Sequence, residues 1–172
     1  MREKKSEALA DHQPWAALQA EIVACRRCPR LVAWREAVAQ QKVARFCDQL
    51  YWGRPVPGFG DVQARLWVIG LAPAAHGGNR TGRVFTGDPS GDWLFRALRR
   101  ARFANQPISL HREDGLQLRD CYISAVMRCA PPQNRPTAAE AKTCLGYLRQ
   151  ELELLTQVRV ILALDHNHMP WP

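Results

Sequence analysis

The sequence predicts an α/β fold: one domain in which a mainly parallel central sheet is covered by helices on both faces. Short apolar, partly β-branched runs recur along the chain, as "RLWVIG", "CYISAVM" and "VRVILAL", with helical apolar spacing between them. Strands alternating with helices imply right-handed crossovers between parallel strands. Two long loops, Gly70 to Asp88 and Arg128 to Pro136, leave strand ends on the edge where such sheets bind ligands. With 172 residues and 47% hydrophobic content, the chain is long enough for a core of its own.

The elements follow in order. From roughly Pro14 to Gln40, apolar residues at helical spacing (Leu18, Ile22, then Leu31, Trp34, Val38) are interrupted by "CRRCPR", which predicts two short helices joined at that turn. "YWGRPVPGFGD", Tyr51 to Asp61, is dense in proline and glycine and is expected to be a loop. "RLWVIGLA" predicts a buried strand, and the glycine-rich segment after it is too permissive for helix or strand. "SGDWLFRALRRARF" predicts an amphipathic helix with Trp93, Leu94, Ala97, Leu98 and Ala101 on its apolar face. "CYISAVM" is the second strand, and "RCAPPQNRP" is a loop fixed by prolines. "TAAE" at Thr137 to Glu140 has the form of a capping box, opening a helix that carries Leu145, Leu148, Leu152 and Leu155. "VRVILAL" is the third strand.

Lys and Arg total 24 against 16 Asp and Glu, a net charge of +8. Arginine's planar fork of donors suits phosphate, so nucleic acid is the natural partner; an ordinary solvated basic surface accounts for the charge equally well. No apolar run reaches the roughly 18 residues of a membrane span, and the charged start lacks the features of a signal peptide. An intracellular, cytoplasmic protein is expected. In that compartment the cysteines are better suited to a metal or cluster than to disulfides.

The loop "GLAPAAHGGNRTGRVFTGD" contains neither a Walker pattern nor GxGxxG. Its Phe85, Asp88 and His76 offer an aromatic face, a carboxylate and an imidazole, which suit a planar heterocycle beside an electrophilic carbon. Simpler roles exist for each: Phe85 as a loop anchor, Asp88 as organiser of the turn entering the helix, His76 as an exposed side chain. Among the cysteines, Cys25 and Cys28 form a close pair, and Cys129 and Cys144 lie further apart in sequence. Their wide spacing leans toward a [4Fe–4S] cluster, with zinc as the competing occupant. Cys47 and Cys121 read as buried free thiols.

With both loops and the four cysteines together, the chain resembles the family 5 (type B) uracil-DNA glycosylases of bacteria or archaea. "GLAPAAHGGNRTGRVFTGDPSGDWL" matches that family's first motif, and "RCAPPQNRPT" followed by Cys144 matches its second. The resemblance runs from "CRRC" to "VRVILAL". It implies a three-layer αβα sandwich, a structural [4Fe–4S] cluster on Cys25, Cys28, Cys129 and Cys144, and excision of uracil and other deaminated bases from DNA by a monomer.

On the same resemblance, Phe85 stacks on the extruded base and backbone donors near Gly70, Leu71 and Ala72 bind its carbonyl oxygen. Asp88 is the candidate catalytic carboxylate, and Arg80, Arg83 and Arg135 are candidate contacts to DNA phosphates.

After Leu164 the text "DHNHMPWP" leaves the family pattern, and the expected late His-Pro-Ser motif is missing. Residues 165–172 therefore read as an off-pattern tail of a truncated or frameshifted product, the domain being incomplete at its C-terminus. His166 and His168 inherit no role. A noncatalytic DNA-binding remnant and a zinc-stabilised small-ligand domain are the competing functions.

Overall fold

Strands β1 (Phe59–Gly60), β2 (Leu66–Gly70), β3 (Cys121–Ala125) and β4 (Val160–Ala163) form one sheet in the order β1-β3-β2-β4. The computed structural model describes the backbone of residues 3–164 and side chains from residue 13 onward; the tail 165–172, with His166 and His168, lies outside the described residues. β2 pairs in parallel with β3, Leu66 opposite Cys121, and with β4, Leu66 opposite Val160. β1 adds an antiparallel edge, Phe59 opposite Ile123. Two residues inside a proline- and glycine-rich segment give no periodicity to read, so β1 corrects the expected loop. Gly60 permits it: at φ +129° an added Cβ would stand 2.4 Å from the Cys121 carbonyl oxygen.

Alternation along the strands divides the core into two layers. On one face Val68, Cys121, Ile123 and Ala125 pack against Leu94, Phe95 and Leu98 of α4 (Pro89–Arg100). On the other, Trp67 and Tyr122 pack against Trp15 of α1 (Glu3–Ala24) and Leu155, which ends α5 (Ala138–Leu154). Helices thus cover both faces, giving a three-layer αβα arrangement around a mixed sheet. β4 is the edge whose Val160, Ile161 and Leu162 are exposed.

The Pro14 to Gln40 segment is two helices as expected, but α1 reaches back to Glu3 and carries Pro14 within it. The second, α2 (Pro29–Gln41), begins directly after the cysteine turn. The glycine-rich loop contains a short turn of helix, α3 (Gly78–Thr81). Two apolar faces differ from the expected ones. In α4 the buried stripe is Gly91, Leu94, Phe95 and Leu98, while Trp93 is exposed.

In α5 the buried residues are Glu140, Cys144, Tyr147 and Glu151, with Leu145 and Leu152 outside. The polar face turns inward because its groups have partners. Arg128 donates to both Glu151 carboxylate oxygens, at 2.9 and 2.6 Å, and Tyr122 Oη donates to the same carboxylate at 3.3 Å. Thr137 and Glu140 form the expected capping box. Cys121 is buried as expected, and that burial pushes its thiol up to about 12. Cys47 is not: it follows a 3-10 turn (Ala44–Phe46) and is exposed.

Candidate active site

The two loops leaving β2 and β3 meet over the carboxyl end of the sheet. Between them lies a cavity of about 270 Å³ lined by Leu71, Ala72, Phe85, Asp88 and Arg135, with Ala125 of β3 among its walls. Loops that are distant in sequence meet there because parallel neighbours β2 and β3 end side by side, Gly70 opposite Ala125. Val126 donates its N–H to the Gly70 carbonyl and Met127 to that of Leu71, both at 2.9 Å, which splices the loop starts together.

Phe85 is held by backbone as much as by packing. It sits at φ +52°, and its ring lies over Gly70, where an added Cβ would stand 2.6 Å from Phe85 Cζ. A left-handed backbone is costly for an aromatic residue and persists where the surroundings over-determine it, a pattern that clusters at functional sites. Gly70 is therefore the seat of the ring.

Asp88 organises the turn entering α4 with one of its two carboxylate oxygens. As N-cap of α4, its Oδ1 accepts from Gly91 N at 3.0 Å. Oδ2 lies against Gly77, where an added Cβ would be 2.3 Å away, and it accepts no hydrogen bond among the described residues. The N–H groups of Leu71 and Ala72 likewise have no acceptor among the described residues. Leu71 and Ala72, whose N–H groups are unpaired, thus line one cavity with Phe85 and with Asp88, which keeps one carboxylate oxygen out of its helix cap.

Arg80 and Arg83 do not stand with them as exposed cations. Both are buried. Arg80 donates to the His76 and Gly87 carbonyls and to Gln49 Oε1, with its guanidinium 3.9 Å from the Phe46 ring centroid. Arg83 donates to Thr86 Oγ1, Ser109 Oγ, the Arg112 carbonyl and Asp114 Oδ2. A loop with so little regular structure leaves carbonyls to satisfy, and these two guanidinia satisfy them. Asp114 in turn is held below the usual carboxylate range by its hydrogen bonds from Arg83, Leu110 and Leu116, against the opposing effect of burial. Arg135 is exposed at the rim.

His76 is outside the cavity lining; Tyr51, kept protonated by burial, places its hydroxyl 3.0 Å from His76 Nδ1. Gln133 and Asn134 were not anticipated at the rim, where both adopt positive φ, +54° and +56°. The signal was present in "PQNRP": asparagine between prolines tolerates that conformation.

The four cysteines converge on a separate recess. Cys25, Cys28, Cys129 and Cys144 line it together with Arg27, Arg35, Arg128 and Tyr147. α1 ends before the first pair, α2 starts after it, Cys129 lies on the loop after β3 and Cys144 on α5. Arg35 Nη1 donates to Cys129 Sγ at 3.0 Å, and Arg35 Nε is buried without a partner among the described residues. Burial pushes the Cys129 thiol up to about 11 and raises Cys28 and Cys144. Among the described residues, no group of three or more His, Cys, Asp or Glu is placed to hold a single metal ion.

No helix among the described residues is long and apolar enough to cross a membrane. A family model described as the uracil DNA glycosylase superfamily matches residues 57–169, a span that takes in both loops and most of the sheet. A Type-5 uracil-DNA glycosylase of Mycobacterium leprae is 58% identical over 148 residues, 86% of this chain and 65% of the relative. Relatives with the same description in Thermus thermophilus and Pyrobaculum aerophilum are 53% and 52% identical over 143 residues, 83% of this chain. Those matches cover 64% and 62% of the relatives, so the chain spans just under two thirds of their length.

Proposed function

Given that the chain belongs to the uracil DNA glycosylase superfamily, we propose that it hydrolyses the N-glycosidic bond of uracil, and of related deaminated bases, in DNA. The observation that carries this is the single cavity lined by Phe85, Asp88, Leu71 and Ala72, the last two with unpaired backbone N–H groups. A base inside a duplex is out of reach, so the deoxyuridine rotates out of the stack at a cost of a few kcal/mol. Phe85 takes the place of the lost stacking neighbour. As the bond between C1′ and N1 breaks, its electron pair moves onto the base. Preorganised N–H donors meet the charge growing on the base carbonyl; the Asp88 carboxylate meets the positive charge on the sugar and orients the water whose oxygen adds to C1′, while the proton that water loses ends on the departing base anion.

Cys25, Cys28, Cys129 and Cys144 are proposed to hold a [4Fe–4S] cluster, which when bound supplies a structural tie between the N-terminal helices and the loop after β3. Its donor chemistry fits: Arg27, Arg35 and Arg128 surround thiols that ligate as thiolates. A mononuclear zinc site asks for one tight tetrahedron of donors. Iron and sulfide analysis with visible absorption of anaerobically purified protein tests the assignment; a colourless, zinc-loaded sample contradicts it.

Asp88→Asn separates the two uses of Asp88. Asparagine caps a helix about as well as aspartate, so stability is retained. Removing the charge lowers single-turnover uracil release by an expected two to three orders of magnitude, roughly the loss seen when one transition-state contact is removed. Release at the unmodified rate refutes the catalytic assignment.

A further inference from the structure

Arg80 and Arg83, the arginines of the glycine-rich loop, are buried within the fold. What they hold in place is a second pair. Trp52 donates its backbone N–H to the Arg80 carbonyl at 2.9 Å, Gly53 donates to that of Asn79 at 3.0 Å, and the indole Nε1 donates to the Pro55 carbonyl at 3.0 Å. The indole is thereby fixed. Arg112 stacks with its guanidinium carbon 4.3 Å from that ring's centroid, and Arg54 lies 5.8 Å from it. The strand of chain bearing Arg112 is anchored from below, since Arg83 Nη1 donates to the Arg112 carbonyl at 3.3 Å.

Gly82 closes the arrangement. At φ +73° it lets Trp52 and Arg112 approach the loop, where an added Cβ would stand 2.9 Å from Trp52 Cδ2 and 2.8 Å from Arg112 Cδ. Gly82 is three residues before Phe85 in the chain. Arg54 and Arg112 are exposed, and among the described residues neither guanidinium has a carboxylate partner or a hydrogen bond. Stacking a guanidinium on an indole fixes its plane and leaves its in-plane N–H donors available for a bidentate acceptor.

We propose that Arg54 and Arg112, held on Trp52, form a phosphate-binding site that grips the DNA strand. The site rests on the base-excision reading for its ligand, a phosphodiester. Arg112, more closely stacked, is the principal contact. The site assigns two exposed arginines to the DNA backbone and gives buried Arg80 and Arg83 the role of positioning residues. Contacts of this kind set the register of the strand without reading its sequence.

The test is binding of the full chain to undamaged and uracil-containing duplexes by fluorescence anisotropy, across salt from roughly 50 to 200 mM, for wild type, Arg54→Gln, Arg112→Gln and the double variant. Each lost phosphate contact lowers the slope of log affinity against log salt by roughly 0.9, so the double variant is expected to be shallower by about 1.8. Arg112→Lys keeps the charge and the slope. Arg149→Gln, an exposed change on α5, controls for net charge and leaves the slope unchanged. Melting temperature, measured in parallel, is expected to stay at the wild-type value. An unaltered slope in the double variant overturns the proposal, as does an equal loss in Arg149→Gln.

Free uracil release assayed on the same preparations separates the two claims. Release with an unaltered slope removes the phosphate site alone. A lowered slope without release by wild type removes the excision reading and leaves the site. Absence of DNA binding by wild type removes both.

Discussion

Replacing Gly70 by alanine puts one methyl group beneath the ring of Phe85. The new Cβ would lie 2.6 Å from Cζ and 2.9 Å from Cε2, whereas ordinary contacts begin at 3.4 Å. The ring must therefore retreat by about 0.8 Å. Its backbone has little freedom to follow: Phe85 is already at φ +52°, and its carbonyl oxygen is packed on Gly91, where an added Cβ would be only 1.9 Å away. The strain falls on the side chain and on β2, with an expected stability cost of about 1 to 3 kcal/mol.

A misplacement near 1 Å at a reacting centre lowers a rate by about 10²-fold, which sets the expected loss of single-turnover uracil release. The assay is run well below the variant's own melting temperature, so that unfolding does not masquerade as lost chemistry. Release within about threefold of wild type, with the expected fall in melting temperature, would refute the claim that the seat of Phe85 sets the pocket.

Other consequences are open to measurement. Glu151→Gln leaves the buried Arg128 guanidinium without its charge partner, and removing one member of such a pair costs about 3 to 5 kcal/mol, a fall in melting temperature of roughly 6 to 20 °C. A fall of under about 2 °C contradicts the pairing. Arg30 hydrogen bonds, aided by Thr137 and opposed by burial, hold Glu140 at about 2, below its ordinary value of 4.5. A carboxylate depressed on folding stabilises above its unfolded value and loses that effect as pH falls through the folded one. The stability advantage of wild type over Glu140→Gln is thus expected whole above about pH 5 and to vanish toward pH 2, as thermal melts across that range would show. Cys129→Ser removes one proposed cluster ligand, with visible absorption and iron content expected to fall together; retention of both would exclude Cys129 as a ligand.

The strands, their parallel pairing and the helices between them were legible because each carries its own periodicity or cap: β-branched runs for β2 and β3, "TAAE" for α5. The faces of α4 and α5 were less so. Hydropathy assigns Leu145 and Leu152 inward, yet a long-range partnership with Arg128 and Tyr122 brings Glu151 in, and a pattern confined to one helix contains no trace of it. The same limit governs the arginines. In "NRTGRVF" a guanidinium that satisfies loop carbonyls reads like one that waits for phosphate, and only tertiary partners such as Asp114 and Ser109 distinguish them.

Cavity residues fared better, since Phe85, Asp88, Leu71 and Ala72 sit on a loop whose glycines announce close backbone approach. The left-handed Gln133 and Asn134 belong to a short proline-bounded turn, where composition names the turn but not the cavity it faces.

The most direct test of the base-excision claim is chemical: incubate the purified chain in excess over a uracil-containing duplex and quantify the free base and the abasic strand it leaves. The expected result is free uracil in equal amount to alkali-labile abasic sites, reduced about 10²- to 10³-fold by Asp88→Asn with melting temperature retained. Duplex bound by a well-folded, cluster-loaded chain with no free uracil formed would contradict the account.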